Sequence, residues 1–437
     1  MSEPLPITHR RVLTVALPVV LSNATVPILG AVDTGVVGQM GQAAPIGAVG
    51  IGAIALTAIY WIFGFLRMGT AGFTAQAHGA GRTGEVSALL SRAMIIALGA
   101  GLMIVALQMP LMWLALQTAP ASEEVETLAS TYMGVRIYGA PAAIGIYALT
   151  GWMIGLGRTR SVLLVQLWMN LLNIGLDLWF VLGLEWGVEG VAIATLIAEW
   201  SGLLLGLWLC RDVLKTPAWK DWPRVFERAQ MIRFARVNID ILMRSVMLQG
   251  IFMSFVFLGA RFGDVTLAAN HVLLQFLEIT AYAMDGFAIA AETLVGQAMG
   301  SRSVAHVRRA ALMTSFWGAV SVVITASAFA LFGPWIIDLM TTAPDVRVEA
   351  RAYLPYMIAA PLVGCAAWML DGIFIGATRS ADMRNMMAVS AIIYVIALMI
   401  LMPLIGNHGL WLALLISFVA RAITLGWRYP SLERAAA

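Results

Sequence analysis

Asp33 lies in PILGAVDTGVVGQMG (residues 27–41), an apolar stretch with no basic residue between Arg11 and Arg67. Asp177 closes a second such stretch, NLLNIGLD, with Asn173 one helical turn before it on the same face. Thr195 follows in VAIATLIAEW. Two carboxylates, an amide and a hydroxyl held together can share a proton or hold a hard monovalent cation such as Na⁺. A carboxylate in hydrocarbon costs at least ~2.5–3.5 kcal/mol on insertion scales, so it needs a partner, water or a proton. Burial raises a carboxyl pKa in general, which suits such a group to take up and release H⁺. The plainer alternative is a polar core that only locks helices together. Two acids with no Lys or Arg nearby make poor glue, which favours the ion-carrying reading.

A second pattern is His271, Glu278, Asp285 and Glu292, spaced seven apart on a helix predicted over 266–299. Residues seven apart drift only ~20° on a straight helix, so they form one polar stripe. It reads equally as a wet wall that attracts cationic solutes or as a row of interlobe hydrogen bonds. Asp371, in WMLDGIFIGATR, is a lesser candidate for the same substrate cleft. Glu199, one turn from Thr195, is expected to extend the first site inward, and Asp240 with Arg244 to form an i,i+4 structural ion pair.

The elements that position these groups follow from composition. Of 437 residues, 60% are apolar and 12% charged, with mean hydropathy +0.86; soluble domains carry about a quarter charged residues. Apolar runs repeatedly reach the ~20 residues that cross a bilayer as helix. Twelve spans are predicted, near 12–38, 46–77, 88–116, 128–156, 161–183, 188–210, 231–258, 266–299, 308–340, 350–377, 385–405 and 409–428. Alternate breaks hold 20 of the 27 Lys and Arg residues, so by the positive-inside rule both termini are expected in the cytoplasm. With that orientation Asp33 and Asp177 each sit about six residues, roughly 9 Å, below the outer rim. MSEPLPITHR runs into the first span with no small-residue cleavage site, so no removable signal peptide is expected. Cys210 and Cys365 fall in apolar segments and read as small hydrophobes. No metal-ligand spacing is present, and the net charge of +3 is too small to suggest nucleic acid.

The halves resemble each other at a shift near 221 residues. AQAHGAGR (75–82) answers GQAMGSR (296–302), and GAPAAIGIYALTGWMIGLGRTRS (139–161) answers AAPLVGCAAWMLDGIFIGATRS (359–380). Six helices per repeat put both halves in the membrane in the same sense. The expected architecture is therefore an all-α polytopic membrane protein of two pseudo-symmetric six-helix bundles around a central cleft. Residues 1–210 form an N-lobe, 211–236 a cytoplasmic connector acting as hinge, and 237–437 a C-lobe. Phe255 and Leu398 stand where the repeat would place Asp33 and Asp177, so these acids are not relics of the scaffold. Pro18, fifteen residues before Asp33, removes a helical hydrogen bond and permits a bend there.

AVDTGVVGQMG, TAQAHGAGR, NLLNIGLD, WGVEGVAIAT and the duplication together resemble the multidrug and toxic compound extrusion (MATE) family over nearly the whole chain. MLDGIFIGATRSADMRN looks most like its DinF branch. The resemblance implies a monomeric antiporter of the bacterial inner membrane that expels organic cations and other drugs in exchange for H⁺ or Na⁺, without a cofactor. It also implies a coupling site at Asp33, Asn173, Asp177 and Thr195 and a bending proline at Pro18. Asp371 resembles the tenth-helix acid of another branch, whose seventh-helix Glu has no counterpart here beyond Asp240. The alternative is a flippase of lipid-linked saccharides from the same superfamily, but four in-span bases (Arg67, Arg136, Arg244, Arg421) against nine acids favour a cationic substrate. An enzyme is not expected, since HExxH, GxSxG at a span mouth and paired intramembrane His are all missing.

Overall fold

A chain this apolar must close its own backbone hydrogen bonds, and it does so as helix. A computed structural model of the protein describes residues 6–40, 43–118, 121–215 and 217–437; within these the side chains of Ala31, Asp33, Thr34, Ala43 and Leu214 lie outside the description. Among the described residues, twelve helices are long and apolar enough to span a membrane: α1 (His9–Gly38), α2 (Ala44–Gly79), α3 (Thr83–Ala106), α4 (Glu123–Gly155), α5 (Thr159–Gly183), α6 (Gly187–Leu209), α7 (Arg228–Phe262), α8 (Asp264–Gly300), α9 (Val304–Met340), α10 (Pro344–Gly376), α11 (Ser380–Ile405) and α12 (Asn407–Arg434). No strand occurs among the described residues.

Every predicted span has its helix. The third differs most: α3 stops at Ala106 and a separate helix runs Gln108–Thr118. Pro110 explains the break, because its ring clashes with the carbonyl four residues back, that of Ala106. Other departures lie inside spans. A 3₁₀ turn occupies Ile62–Gly64, another Ile137–Gly139, and the last six residues of α5, Leu178–Gly183, are wound as π-helix.

The repeat is visible in backbone detail at a shift of 221. Gly157 (φ 73°) and Thr378 (φ 52°) take the same left-handed turn, as do Gly81 (φ 68°) and Arg302 (φ 52°). Arg158 N–H donates to Met153 O at 2.8 Å, and Arg379 N–H to Phe374 O at 3.0 Å. A Cβ on Gly151 would lie 2.3 Å from Arg67 O, and one on Gly372 2.3 Å from Ala288 O. Two helices thus touch backbone to backbone at the same place in each half, and only glycine admits that approach.

The chain divides into two compact units. One holds Leu21–Thr74 and Arg82–Ile232; the other holds Met1–Val20, Ala75–Gly81 and Arg233–Ala437. The first part of α1, up to Val20, and the end of α2 therefore pack with the second half. Arg11 Nη2 donates to Gln297 Oε1 at 2.6 Å, Trp317 Nε1 to His9 Nδ1 at 3.1 Å, and Gln76 Nε2 to Gly376 O at 3.0 Å. Gly79 abuts the Gln297 backbone and Gly300 the Gln76 backbone, a reciprocal crossing. The division cuts α1 between Val20 and Leu21, two residues beyond Pro18.

The connector is pinned along much of its length. Arg92 of α3 donates to Val225 O and Arg224 O, both at 3.0 Å, and Ser91 Oγ to Trp219 O at 2.9 Å. In the second unit Phe255, Trp411, Phe276 and Phe329 centre a large apolar core. A buried amide pair lies within it. Asn270 and Asn407 exchange hydrogen bonds of 2.8 and 2.9 Å, and Trp411 Nε1 donates to Asn270 Oδ1 at 2.9 Å.

Candidate cation-coupling site and cavity

The first site is a polar face of α5 in an otherwise apolar helix. Gln166, Asn170, Asn173 and Asp177 recur at spacings of four, three and four, which stacks them on one side. Asn170, Asn173 and Asp177 are buried, Asp177 completely. Gln166 Nε2 donates to Asn170 Oδ1 at 3.0 Å, and Asn170 Nδ2 donates to Thr25 Oγ1 of α1 at 2.7 Å. One turn on, Asn173 Nδ2 donates to Thr195 Oγ1 of α6 at 3.2 Å, while Thr195 donates to Val191 O at 2.9 Å. Asn173 Oδ1 is left without a hydrogen bond among the described residues. Asp177 is the last residue of regular α-helix before the π-wound turn. A π segment widens the helix and leaves irregular backbone, a device common at functional sites.

The side chain of Asp33 lies outside the described residues, but its height is set by its helix. Both odd-numbered spans cross in the same sense, and the Thr25–Asn170 bond fixes the register of α1 against α5. Asp33 is eight residues beyond Thr25 and Asp177 seven beyond Asn170, so both arrive about 11–12 Å above that bond. Asn173 and Thr195 are thus in contact, Asp177 stands one turn from Asn173 on the same face of α5, and the backbone of α1 carries Asp33 to a similar height.

The other in-span acids sort by partner. Glu199 does not extend this site: its Oε2 accepts from Arg136 Nη1 at 2.7 Å, in a buried ion pair. Asp240 and Arg244 are not paired with each other. Asp240 is held by Arg384 at 2.5 Å and Ser380 Oγ at 2.9 Å, whereas Arg244 donates to Asp371, with Arg421 3.8 Å from the same oxygen. Each takes a partner on another helix instead, Asp240 one on α11 and Arg244 one on α10. Asp371 is therefore a buried, twice-neutralised carboxylate rather than part of an open wall. Asp338 is bound by Arg351 at 2.6 Å.

The α8 stripe is not uniform. His271, Glu278 and Asp285 are exposed, whereas Glu292 is 2% exposed. His271 and Glu278 line a cavity of about 510 Å³ with Gln249, Phe252, Phe257 and Gln275, among others. A second cavity of about 740 Å³ is lined by the starts of α4 and α6 and the link between α5 and α6, and carries Glu123, Glu124, Glu185 and Glu189.

The sequence model of the MatE family matches residues 18–179 and 241–402, one match in each half of the chain. The chain belongs to the MatE family. This MatE protein is 40% identical over 419 residues to the DNA damage-inducible protein F of Escherichia coli (strain K12), covering 94% of this chain and 90% of the relative. It is 25% identical over 442 residues to a probable multidrug resistance protein NorM of Neisseria meningitidis serogroup B, covering 96% and 93%. A crystal structure of MATE in complex with MaL6 shares its fold with a TM-score of 0.86 at 19% identity, over 98% of this chain and 97% of that one.

Sequence reasoning missed three members of the polar face in this MatE protein: Thr25, Gln166 and Asn170. The QxxxNxxNxxxD spacing in QLWMNLLNIGLD would have found two of them. Thr25 carries no such signal, since a lone threonine in an apolar helix commonly bonds its own backbone.

Proposed function

We propose that this MatE protein is a multi-pass exporter of cationic, amphipathic organic compounds of the bacterial inner membrane, with both termini cytoplasmic. It acts as a monomer driven by inward flow of H⁺ or Na⁺. Asp33 and Asp177, assisted by Asn173 and Thr195, carry the coupling ion. The observation that carries this reading is the buried α5 face, where Asn173 bridges to Thr195 one turn from a fully buried Asp177 at the start of a π-wound turn. Its position supports an ion path from outside, and the four glutamates of the cavity above would draw cations toward it.

Neutralising the carboxylates removes the charge that keeps their surroundings hydrated, and α1 repacks about Pro18. That bend lies at the point where α1 passes from one compact unit to the other. Coupling requires the ion and the substrate to bind the two states with different affinity, which a carboxyl whose solvation changes supplies. Arg136 and Arg244 are each engaged by a carboxylate, which leaves them unsuited to hold the pyrophosphate of a lipid-linked saccharide.

The test is drug resistance conferred on a susceptible host by Asp33→Asn and Asp177→Asn at wild-type expression. Loss of resistance in both is expected. Full resistance in either removes that residue from the coupling site.

A further inference from the structure

We propose that Arg421 and Arg244 hold a small monovalent inorganic anion, of the kind chloride exemplifies, inside the second compact unit. Such a site stands whether or not the exporter reading does. Three charged residues meet there from three helices. Arg244 of α7 donates to Asp371 of α10, and Nη1 of Arg421 on α12 lies 3.8 Å from the same carboxylate oxygen. Two guanidiniums face one carboxylate, so the cluster carries one unbalanced positive charge.

Arg421 bears that excess. It stands halfway along α12 and is 2% exposed, with Nε and Nη2 both buried and without a hydrogen bond among the described residues. Nε of Arg244 is in the same condition. The hydroxyls one turn away on α12 are engaged with their own helix, Ser417 donating to Leu414 O at 2.6 Å and Thr424 to Ala420 O at 2.8 Å. A guanidinium stays charged in proteins and offers donors only, and a charge at this depth requires a partner. Asp382 is also flanked by two guanidiniums, but those of Arg379 and Arg428 are 33% and 46% exposed and keep water. The cluster is no relic of duplication. The repeat places Asn23, Thr150 and Trp200 where Arg244, Asp371 and Arg421 stand.

Charge and space decide which anion. Pyrophosphate brings more negative charge than the cluster balances and would pay a larger desolvation cost. A drug-sized carboxylate needs an open pocket, yet Arg244, Asp371 and Arg421 are each less than a tenth exposed and line neither cavity described above. A halide is compact, accepts from several N–H groups at once and gains charge-assisted contacts in exchange for its water.

The experiment compares thermal unfolding of the purified full chain in potassium chloride and in potassium gluconate at equal ionic strength. Wild type should melt at least about 2 °C higher in chloride at about 100 mM. Bromide and nitrate should replace chloride, although neither has the general stabilising effect of excluded salts such as sulfate. In Arg421→Leu the Arg244–Asp371 pair remains as a neutral unit, so the chloride shift should vanish. Chlorine NMR serves if that variant does not fold: wild type should broaden the chloride line, and excess bromide should sharpen it again. If Arg421 is only a structural partner of Asp371, wild type melts alike in both salts and leaves the line unchanged. Either result overturns the proposal, as does a chloride shift that persists in Arg421→Leu.

Discussion

Replacing Glu199 by Gln tests whether this acid is structural or part of the ion path. Its Oε2 lies 2.7 Å from Arg136 Nη1, and both side chains are about nine-tenths buried. Removing the carboxylate leaves a guanidinium with one neutral partner in an apolar interior. Breaking a buried pair in this way costs about 3–5 kcal/mol, because the surviving charge is uncompensated. Arg136 Nε already lacks a hydrogen bond among the described residues, so no ready alternative partner absorbs the loss. Taking away both charges is different. Arg136→Leu with Glu199→Leu replaces a costly desolvated pair with apolar volume, which is often neutral or stabilising. Thermal unfolding of purified protein in detergent should therefore rank the double variant near wild type and far above Glu199→Gln or Arg136→Leu alone. Dye efflux, normalised to folded protein, should survive in the double variant. If Glu199→Gln unfolds like wild type yet loses coupling, or if the double variant is as unstable as the singles, the structural assignment is refuted.

Two further outcomes test the packing. Gly372→Ala should lower the yield of folded protein sharply, as should Gly151→Ala at the equivalent crossing. A Cβ there meets backbone carbonyl oxygen at 2.3 Å and the helices must part; overpacking costs typically ~1–3 kcal/mol or more, and unchanged melting would contradict the close approach. Burial pushes the Cys210 thiol up from 9.0 to about 12, so its reactive thiolate stays scarce until pH approaches that value. Native protein at pH 8 should resist iodoacetamide at Cys210 and label once denatured, whereas labelling at the rate of a free thiol would show that the site is open.

Much of this architecture was legible because a bilayer admits few solutions. Long apolar runs can only be helices there, and charge at their ends marks them, so the twelve spans were readable, while AQAHGAGR against GQAMGSR and the longer match at 139–161 and 359–380 exposed the duplication. The α5 face was readable for a related reason: Asn173 and Asp177 are one turn apart, and local spacing fixes local geometry. Partnership between distant helices was not. Arg136 and Glu199 are 63 residues apart, Arg244 and Asp371 127, and no periodicity says which of several guanidiniums reaches a given carboxylate. The near neighbour Arg244 looked right for Asp240 because the i,i+4 rule knows only one helix. The break after Ala106 was readable in principle from Pro110, whose clash falls on that residue. The π turn after Asp177 has no such breaker in the sequence.

The claim that α5 and α1 carry the coupling ion is tested most directly in liposomes containing the purified protein and a fluorescent dye cation. A pH gradient and a Na⁺ gradient are imposed separately, with wild type and Asp177→Asn side by side. Wild type should concentrate or expel the dye in response to one of the two gradients, and Asp177→Asn should respond to neither while still binding dye. Gradient-driven dye movement by Asp177→Asn at the wild-type rate would contradict the account.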